Sequence, residues 1–270
     1  GKKEKVKTIS SFCAYASMIG GAIISVIFLI FRNPILRLIG ASDNTIGYAN
    51  DYMFWLAISS PLIVMGICAS NLVRGEGAAK DSVIGTVIGQ IANVILDPIF
   101  ILNKGDRLFS IEMPFGLGEG AAIATVIGNL LTLVYFIVYF MRGKSILSIN
   151  PRRFSAKDGI AKGVISVGTP AALNSLLMSF SNIIINMFLA KYGDNAVAAM
   201  GVAMKASMLV VMFQIGVGQG IQPLVGYCFG AKRYERMKKV IRFSMMCNII
   251  IGEAVTLFYI VFRRQVIGIF

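Results

Sequence analysis

The stretch SVIGTVIGQIANVILDPIFIL, residues 82–102, holds a single charged residue, Asp97, among 21 positions. About 20 apolar residues are enough for an α-helix to cross the hydrocarbon core of a bilayer, so the stretch predicts a transmembrane helix. Pro98 follows the carboxylate and cannot donate a backbone hydrogen bond, which favours a local bend. A carboxylate at this depth is costly unless it faces protein, water or an ion, so Asp97 marks a candidate site.

Apolar stretches of this length recur along the chain of 270 residues, which is 56% hydrophobic and only 14% charged. Soluble domains are far more polar, so the predicted fold class is all-α, in the form of a polytopic membrane protein. Seven transmembrane helices are predicted, at about residues 9–31, 52–73, 82–102, 117–141, 160–190, 196–229 and 238–262.

The net charge of +13 comes from basic residues that cluster in short polar segments between the apolar stretches. This distribution is typical of cytoplasmic loops in a membrane protein and does not favour nucleic-acid binding. With the N-terminus placed in the cytoplasm, 18 of the 26 basic residues fall on the inner side and seven on the outer side. We therefore expect a multi-pass protein of the cell inner (plasma) membrane, with the lipid bilayer as its partner.

The content of histidine and cysteine argues against catalysis at a metal centre. The chain has no histidine, and its four cysteines lie within apolar stretches without a CxxC pair. No convincing pair of nucleophile and base is present, so we predict neither an enzyme nor a cofactor. The chain also has no Walker A phosphate loop, and ATP-driven pumping is not predicted.

An internal repeat relates residues 1–39 to residues 232–270, with seven identities at an offset of 231 positions. Both copies have a basic segment, an apolar span and a Phe-Arg pair near the end of the span. Six spans separate equivalent points, so the copies share one orientation, as in transporters that are built from parallel repeats. A repeat of this length predicts a complete protein of about 460 residues, of which this chain would be a fragment.

Five motifs, in order along the chain, resemble those of the multidrug and toxic compound extrusion (MATE) transporters: LVRGEGAAKDS (Leu72–Ser82), NVILDPIFI (Asn93–Ile101), GEGAAIAT (Gly118–Thr125), GTPAALNSLL (Gly168–Leu177) and PLVGYCFGAKRYERMKK (Pro223–Lys239). The resemblance implies twelve helices in two lobes of six, with the seven spans matching helices three to nine. It places part of the N-lobe at residues 1–141 and an incomplete C-lobe at 160–270. The segment 142–159 is polar and basic and contains Pro151, so we predict a cytoplasmic linker between the lobes, with an ordinary surface loop as the alternative.

The resemblance also implies a function. MATE transporters export organic cations and other amphipathic compounds in exchange for H⁺ or Na⁺, so drug-like cations are the expected substrates. We expect the transporter to act as a monomer. A flippase for lipid-linked precursors has a related architecture and is the alternative, and it would favour a basic cavity around Lys205.

Asp97 and Asn93 form the first candidate site. They lie four residues apart on one face of the predicted helix, so a carboxylate and an amide can face the same cavity. By resemblance to the DNA-damage-inducible branch of the family, both match a cation site of the N-lobe, and Thr125 matches a third member. The expected ligand is H⁺ or Na⁺, and a purely structural network of buried polar groups is the alternative.

Polar residues of the predicted C-lobe supply further candidates. Lys205 lies about ten residues into its span, where it would either carry the moving charge of this lobe or snorkel to the outer interface. Glu253 lies within the last span and could pair with Lys205, a cation or a cationic drug. Gln219 and Asn182 could line the substrate cavity or simply hold helices together.

Overall fold

The computed structural model describes residues 2–39, 45–100, 107–108, 111–112, 117–143, 145–155, 159–192, 194–263 and 265. In this part of the chain the α-helices are α1 (Lys2–Ile30), α2 (Arg32–Ile39), α3 (Ile46–Gly75), α4 (Ala79–Phe100), α5 (Leu117–Met141), α6 (Ile160–Ala190), α7 (Asp194–Gly230) and α8 (Tyr234–Val261). All of them except α2 are long and apolar enough to cross a membrane. The prediction of an all-α polytopic membrane protein with seven spans is confirmed.

Several helices extend beyond the predicted spans. Helix α1 begins at Lys2 rather than near residue 9, and α3 begins at Ile46 rather than near residue 52. Hydropathy detects only the apolar part of a helix, whereas its hydrogen bonding continues through the polar turns at either end. The sequence also did not predict α2, which is too short to span a bilayer.

A short antiparallel pair of strands follows α4 and was not predicted. Strand β1 (Arg107–Leu108) pairs with β2 (Ile111–Glu112), with Arg107 opposite Glu112. Strands of two residues are too short to show the alternation of apolar and polar side chains that identifies longer ones.

Four of the long helices continue through a proline: Pro61 in α3, Pro98 in α4, Pro170 in α6 and Pro223 in α7. A proline removes one backbone donor and leaves the carbonyl four residues earlier without its helical partner. Membrane helices tolerate this loss because neighbouring groups and local adjustments satisfy the freed carbonyl. Helix α4 accordingly extends past its proline to Phe100.

The chain divides into two compact units, Gly1–Ala161 and Lys162–Phe270. In the first unit, α3 packs against α1, α4 and α5, and α5 also packs along α4. A buried cluster of Ala69, Val73 and Phe136 lies where α3 meets α5. In the second unit, the principal contact is between α7 and α8.

Residues 145–154 follow α5 and lie across the ends of α1 and α3. We call this segment the strap. It exchanges hydrogen bonds with Ser10 and Tyr15 of α1 and with Glu76, which follows α3. The strap makes up most of the segment 142–159, which the sequence predicts to be a linker between lobes. The predicted lobe boundaries themselves stay a prediction.

Helices α4 and α5 come very close together at Gly89 and Gly128. A β-carbon built on Gly128 would lie 2.6 Å from the carbonyl oxygen of Gly89, which is shorter than nonbonded carbon and oxygen atoms approach. Near the start of α4, a β-carbon on Gly85 would lie 2.6 Å from the ring of Tyr135 and 2.7 Å from that of Phe136. Small residues of this kind allow the backbones of membrane helices to pack closely.

Replacement of Gly128 by alanine is expected to lower the free energy of unfolding by about 1–3 kcal/mol, because the added methyl group pushes α5 away from α4. Gly66→Ala is the matched control, since a β-carbon there would meet only a methyl group of Thr132, at 3.9 Å. Thermal unfolding in detergent measures the difference. Equal midpoints for the two variants would contradict the close approach of Gly89 and Gly128.

Candidate functional site

Three of the predicted site residues meet where α4 packs against α5. The amide nitrogen Nδ2 of Asn93 lies 3.3 Å from Oδ1 of Asp97, one turn along α4. The same nitrogen lies 3.4 Å from Oγ1 of Thr125 on α5. A carboxylate, an amide and a hydroxyl therefore form one cluster, and all three residues are half-buried.

The glycine contact between α4 and α5 explains why these side chains reach each other. Gly128 lies about one turn beyond Thr125, and a β-carbon on it would come within 3.1 Å of the β-carbon of Asn93. Any larger residue at this position would displace Asn93 and separate the two helices. The backbone approach at Gly89 and Gly128 thus positions the amide between its two partners.

Hydrogen bonds within α5 orient the hydroxyl of Thr125. Its Oγ1 donates to the carbonyl oxygen of Ala121 at 3.0 Å, so the lone pairs of Oγ1 can accept from Asn93. The amide of Asn129 donates to the carbonyl oxygen of Thr125 at 2.8 Å, one turn farther along α5. Asn129 is a polar neighbour of the site that the sequence did not predict, although an amide within the apolar stretch GNLLTL was the available signal.

The donor set of the cluster suits a small monovalent cation or a proton. Hard cations prefer oxygen ligands, and tight divalent sites commonly use several carboxylates. Among the residues that the structure describes, no group of three or more acidic, cysteine or histidine side chains is placed to hold a metal ion. Asp97 therefore supplies the one carboxylate of the cluster, and the amide nitrogen of Asn93 lies between that carboxylate and the hydroxyl of Thr125.

The candidates of the second unit lie on three different helices. Asn182 on α6, Lys205 and Gln219 on α7, and Glu253 on α8 are all exposed within the described chain. Lys205 and Gln219 are 14 positions apart on one helix, which corresponds to about 21 Å along its axis. The structure therefore does not bring these two residues together.

One contact between α7 and α8 shows which part of α8 lies beside Lys205. The hydroxyl of Tyr259 donates to the carbonyl oxygen of Ala206 at 2.8 Å, close to the end of α8 at Val261. Glu253 lies six positions before Tyr259, or about 9 Å along α8. This register places Lys205 beside the last turns of α8, and both its depth in the bilayer and its pairing with Glu253 stay predictions.

Comparison with known proteins identifies the family of the chain. The family model MatE matches residues 1–99 and 170–270. The chain is 30% identical over 272 residues to the multidrug export protein MepA of Staphylococcus saprophyticus, covering 100% of this chain and 58% of that protein. It is 29% identical over 267 residues to MepA of Staphylococcus aureus strain MSSA476, covering 99% of this chain and 57% of that protein.

Solved structures show the same likeness. A MATE crystal structure in the straight conformation matches with a TM-score of 0.88 at 26% identity, over 100% of this chain and 58% of that chain. An outward-facing multidrug resistance MATE family transporter of the MOP superfamily matches with a TM-score of 0.87 at 26% identity, over 98% and 57%.

The chain thus spans a little under three fifths of the length of these relatives. The resemblance that five sequence motifs predicted is confirmed by a family model that matches more than half of the chain. The chain belongs to the MatE family of transporters.

Proposed function

We propose that the complete protein exports amphipathic organic cations across the plasma membrane in exchange for H⁺ or Na⁺, with the ion bound at Asp97. The observation that carries the proposal is the cluster of Asp97, Asn93 and Thr125 at a close contact between two membrane helices. The relatives described above carry the name multidrug export protein, which supports export over the flippase alternative.

The two ionisation states of Asp97 supply a mechanism for the exchange. The ionised carboxylate accepts from Asn93 and offers its oxygens to a cation, whereas the protonated carboxyl becomes a hydrogen-bond donor itself. This change alters the partners available to Asn93 and, through Asn93, the contact with Thr125 on α5. A ligand shifts a conformational equilibrium only by binding one state more tightly, so ion binding and drug binding would each favour a different state.

Pro98 leaves one backbone oxygen of α4 without its usual partner. Because its ring nitrogen cannot donate, the carbonyl of Val94 lacks its usual helical partner. A freed carbonyl next to an anionic side chain is a common way for membrane transporters to coordinate Na⁺ or H⁺. Asp97 and Pro98 together therefore give α4 both a charge and a backbone oxygen at the same level.

Replacement of Asp97 by asparagine in the complete protein is expected to reduce gradient-driven efflux at least tenfold, because the site can then neither ionise nor neutralise a cation. Efflux of a fluorescent cationic dye from proteoliposomes is followed under a pH gradient and then under a Na⁺ gradient, which identifies the ion. Asp81→Asn is the matched control on the same helix, since asparagine can still accept from Tyr135 there. Undiminished efflux by the Asp97 variant would exclude this site from coupling.

Substitutions of Thr125 test the hydroxyl separately from the charge. Thr125→Val keeps the shape of the side chain and removes its oxygen, so the concentration of coupling ion at half-maximal rate is expected to rise about fivefold, which corresponds to about 1 kcal/mol. Thr125→Ser keeps the oxygen and should stay within about twofold of the wild type. Initial rates of dye efflux at a series of ion concentrations measure the effect, and equal values for the two variants would contradict a ligand role.

The distribution of basic residues predicts a cytoplasmic N-terminus, and this topology can be tested by labelling. In a cysteine-free background, Lys232→Cys in the exposed turn between α7 and α8 should react with an impermeant maleimide only in inside-out vesicles. Tyr192→Cys, at the opposite end of α7 and 81% exposed, should react only in intact cells. The reverse pattern would invert the proposed topology.

A further inference from the structure

A cavity of about 460 Å³ opens where the end of α5 meets the strap. Its lining consists of Phe140 and Met141 of α5 and residues 147–151 of the strap. Pockets for small molecules commonly measure about 300–1,000 Å³, so the cavity has room for one such ligand. The candidate cation site on α4 and α5 does not use this cavity.

The cavity lies at the level where a membrane span ends. The span Glu119–Met141 has 23 residues, which form a helix about 34 Å long. The hydrocarbon core of a bilayer is about 30 Å thick, so Met141 reaches the layer of lipid headgroups. Met141 is 78% exposed, and Ile146 and Phe154 of the strap are 45% and 43% exposed. Apolar side chains exposed beside basic ones at this level are typical of a segment that contacts the membrane interface.

Hydrogen bonds to α1 hold the strap in place at the cavity. The hydroxyls of Ser10 and Ser11 donate to the carbonyl oxygen of Ser148 at 3.0 and 2.8 Å. The backbone nitrogen of Ser148 donates in return to Oγ of Ser10 at 2.9 Å. The hydroxyl of Tyr15 donates to the carbonyl oxygen of Ile149 at 2.9 Å. The cavity is therefore formed in advance, and the strap does not have to be ordered when a ligand binds.

The amide of Asn150, which lines the cavity, offers a donor to a ligand. Its Oδ1 accepts from the backbone nitrogen of Arg152 at 3.0 Å, and its carbonyl oxygen accepts from the backbone nitrogen of Arg153 at 3.0 Å. Within the described ranges, its Nδ2 donates to no other group. A ligand that accepts hydrogen bonds suits this residue.

The segment around the cavity has an excess of positive charge. Residues 142–155 contain four basic residues and no acidic one. Arg142 follows the lining residue Met141, and Arg152 follows the lining residue Pro151. Both arginines are exposed, and neither guanidinium forms an ion pair in the part of the chain that the structure describes. Their two charges are therefore available to an anion.

Two acidic side chains bond to the strap, and both do so outside the residues that line the cavity. Glu76 accepts from the hydroxyl of Ser145 at 2.7 Å and from the backbone nitrogen of Ile146 at 2.6 Å. Glu4 pairs with the guanidinium of Arg153. Neither carboxylate therefore bonds to a residue of the cavity wall, which keeps its positive surroundings.

We propose that this cavity binds the headgroup of an anionic phospholipid, with the phosphate beside Asn150, Arg142 and Arg152 and the acyl chains along Met141. Basic pockets on the cytoplasmic side of membrane helices bind anionic headgroups, and the segment 142–159 is predicted to lie on that side. The exposed apolar side chains favour a lipid over a soluble phosphate. The inference concerns a membrane lipid and holds whatever ion or compound the complete protein transports.

Photocrosslinking tests the site in the complete protein, in nanodiscs of phosphatidylcholine. A trace of phosphatidylglycerol, with a photoreactive group in its acyl chain close to the headgroup, is added. Adducts within residues 140–155 are measured by peptide mass spectrometry. Phosphatidylcholine with the same photoreactive chain is expected to give about tenfold fewer adducts, because it has no net charge. Soluble glycerol phosphate at the same concentration should not compete.

A pair of substitutions tests the two charges. Arg142→Gln combined with Arg152→Gln keeps the backbone nitrogen that bonds to Asn150. The yield of phosphatidylglycerol adducts is expected to fall about 25-fold, at about fivefold for each basic residue beside an anionic lipid. Arg236→Gln combined with Arg242→Gln is the matched control, since both residues are exposed on α8 and outside the cavity. The control should stay within about twofold of the wild type.

A second pair of variants tests the cavity without a change of charge. Leu147→Trp fills part of the cavity, and the yield is expected to fall about tenfold because the headgroup then lacks room. Ile146→Trp is the matched control, since Ile146 is the preceding residue, is exposed and does not line the cavity. Thermal unfolding in detergent identifies any variant that fails to fold, and the charge variants then decide alone.

The outcomes separate a built lipid site from general attraction to the membrane. Fewer adducts in the double arginine variant and in Leu147→Trp, with both controls unchanged, support the proposal. An equal loss in the control on α8, equal yields from the two lipids, or competition by glycerol phosphate would overturn the assignment to an anionic lipid. An undiminished yield in a folded Leu147→Trp variant would exclude the cavity as the site.

Discussion

The close contact between Gly89 and Gly128 is the constraint on which the candidate site depends. In a bilayer, apolar side chains gain little from leaving lipid for protein, so helices associate mainly through close packing and polar contacts. Two glycines that face each other allow the backbones of α4 and α5 to approach within the reach of short polar side chains. The amide of Asn93 can then contact a carboxylate on its own helix and a hydroxyl on the next.

Much of this fold is predictable from the sequence because lipid imposes a simple rule on length and polarity. The seven spans follow from apolar stretches of about 20 residues, and their backbones must be helical to satisfy their own hydrogen bonds. The strap and the short helix α2 do not follow from this rule. Ser145 and Ser148 look like residues of an ordinary polar loop, and only the folded chain shows that Glu76 and Ser10 bind them.

The candidate site was likewise predictable from the sequence only in part. Asn93 and Asp97 are four positions apart, so their shared helix face follows from helical geometry alone. The contact with Thr125 depends on which face of α5 meets α4, and local sequence does not determine that pairing; resemblance to a family indicated it. Asn129 was not selected because a single amide in an apolar stretch has no pattern that separates it from ordinary packing residues. The register of α7 and α8, which places Ala206 beside Tyr259, likewise requires the tertiary structure.

The attachment of the strap to α1 has a consequence for the order in which the protein is made. Ser10 and Ser148 are separated by 138 positions in the chain, and Glu4 and Arg153 by 149. A ribosome adds about 5–20 residues per second, so α1 is synthesised about 7–30 s before its partners exist. During that interval its two serine hydroxyls must bond to water, to other protein or to their own helix. The polar contacts of α1 are therefore completed only after residues 145–154 have been synthesised.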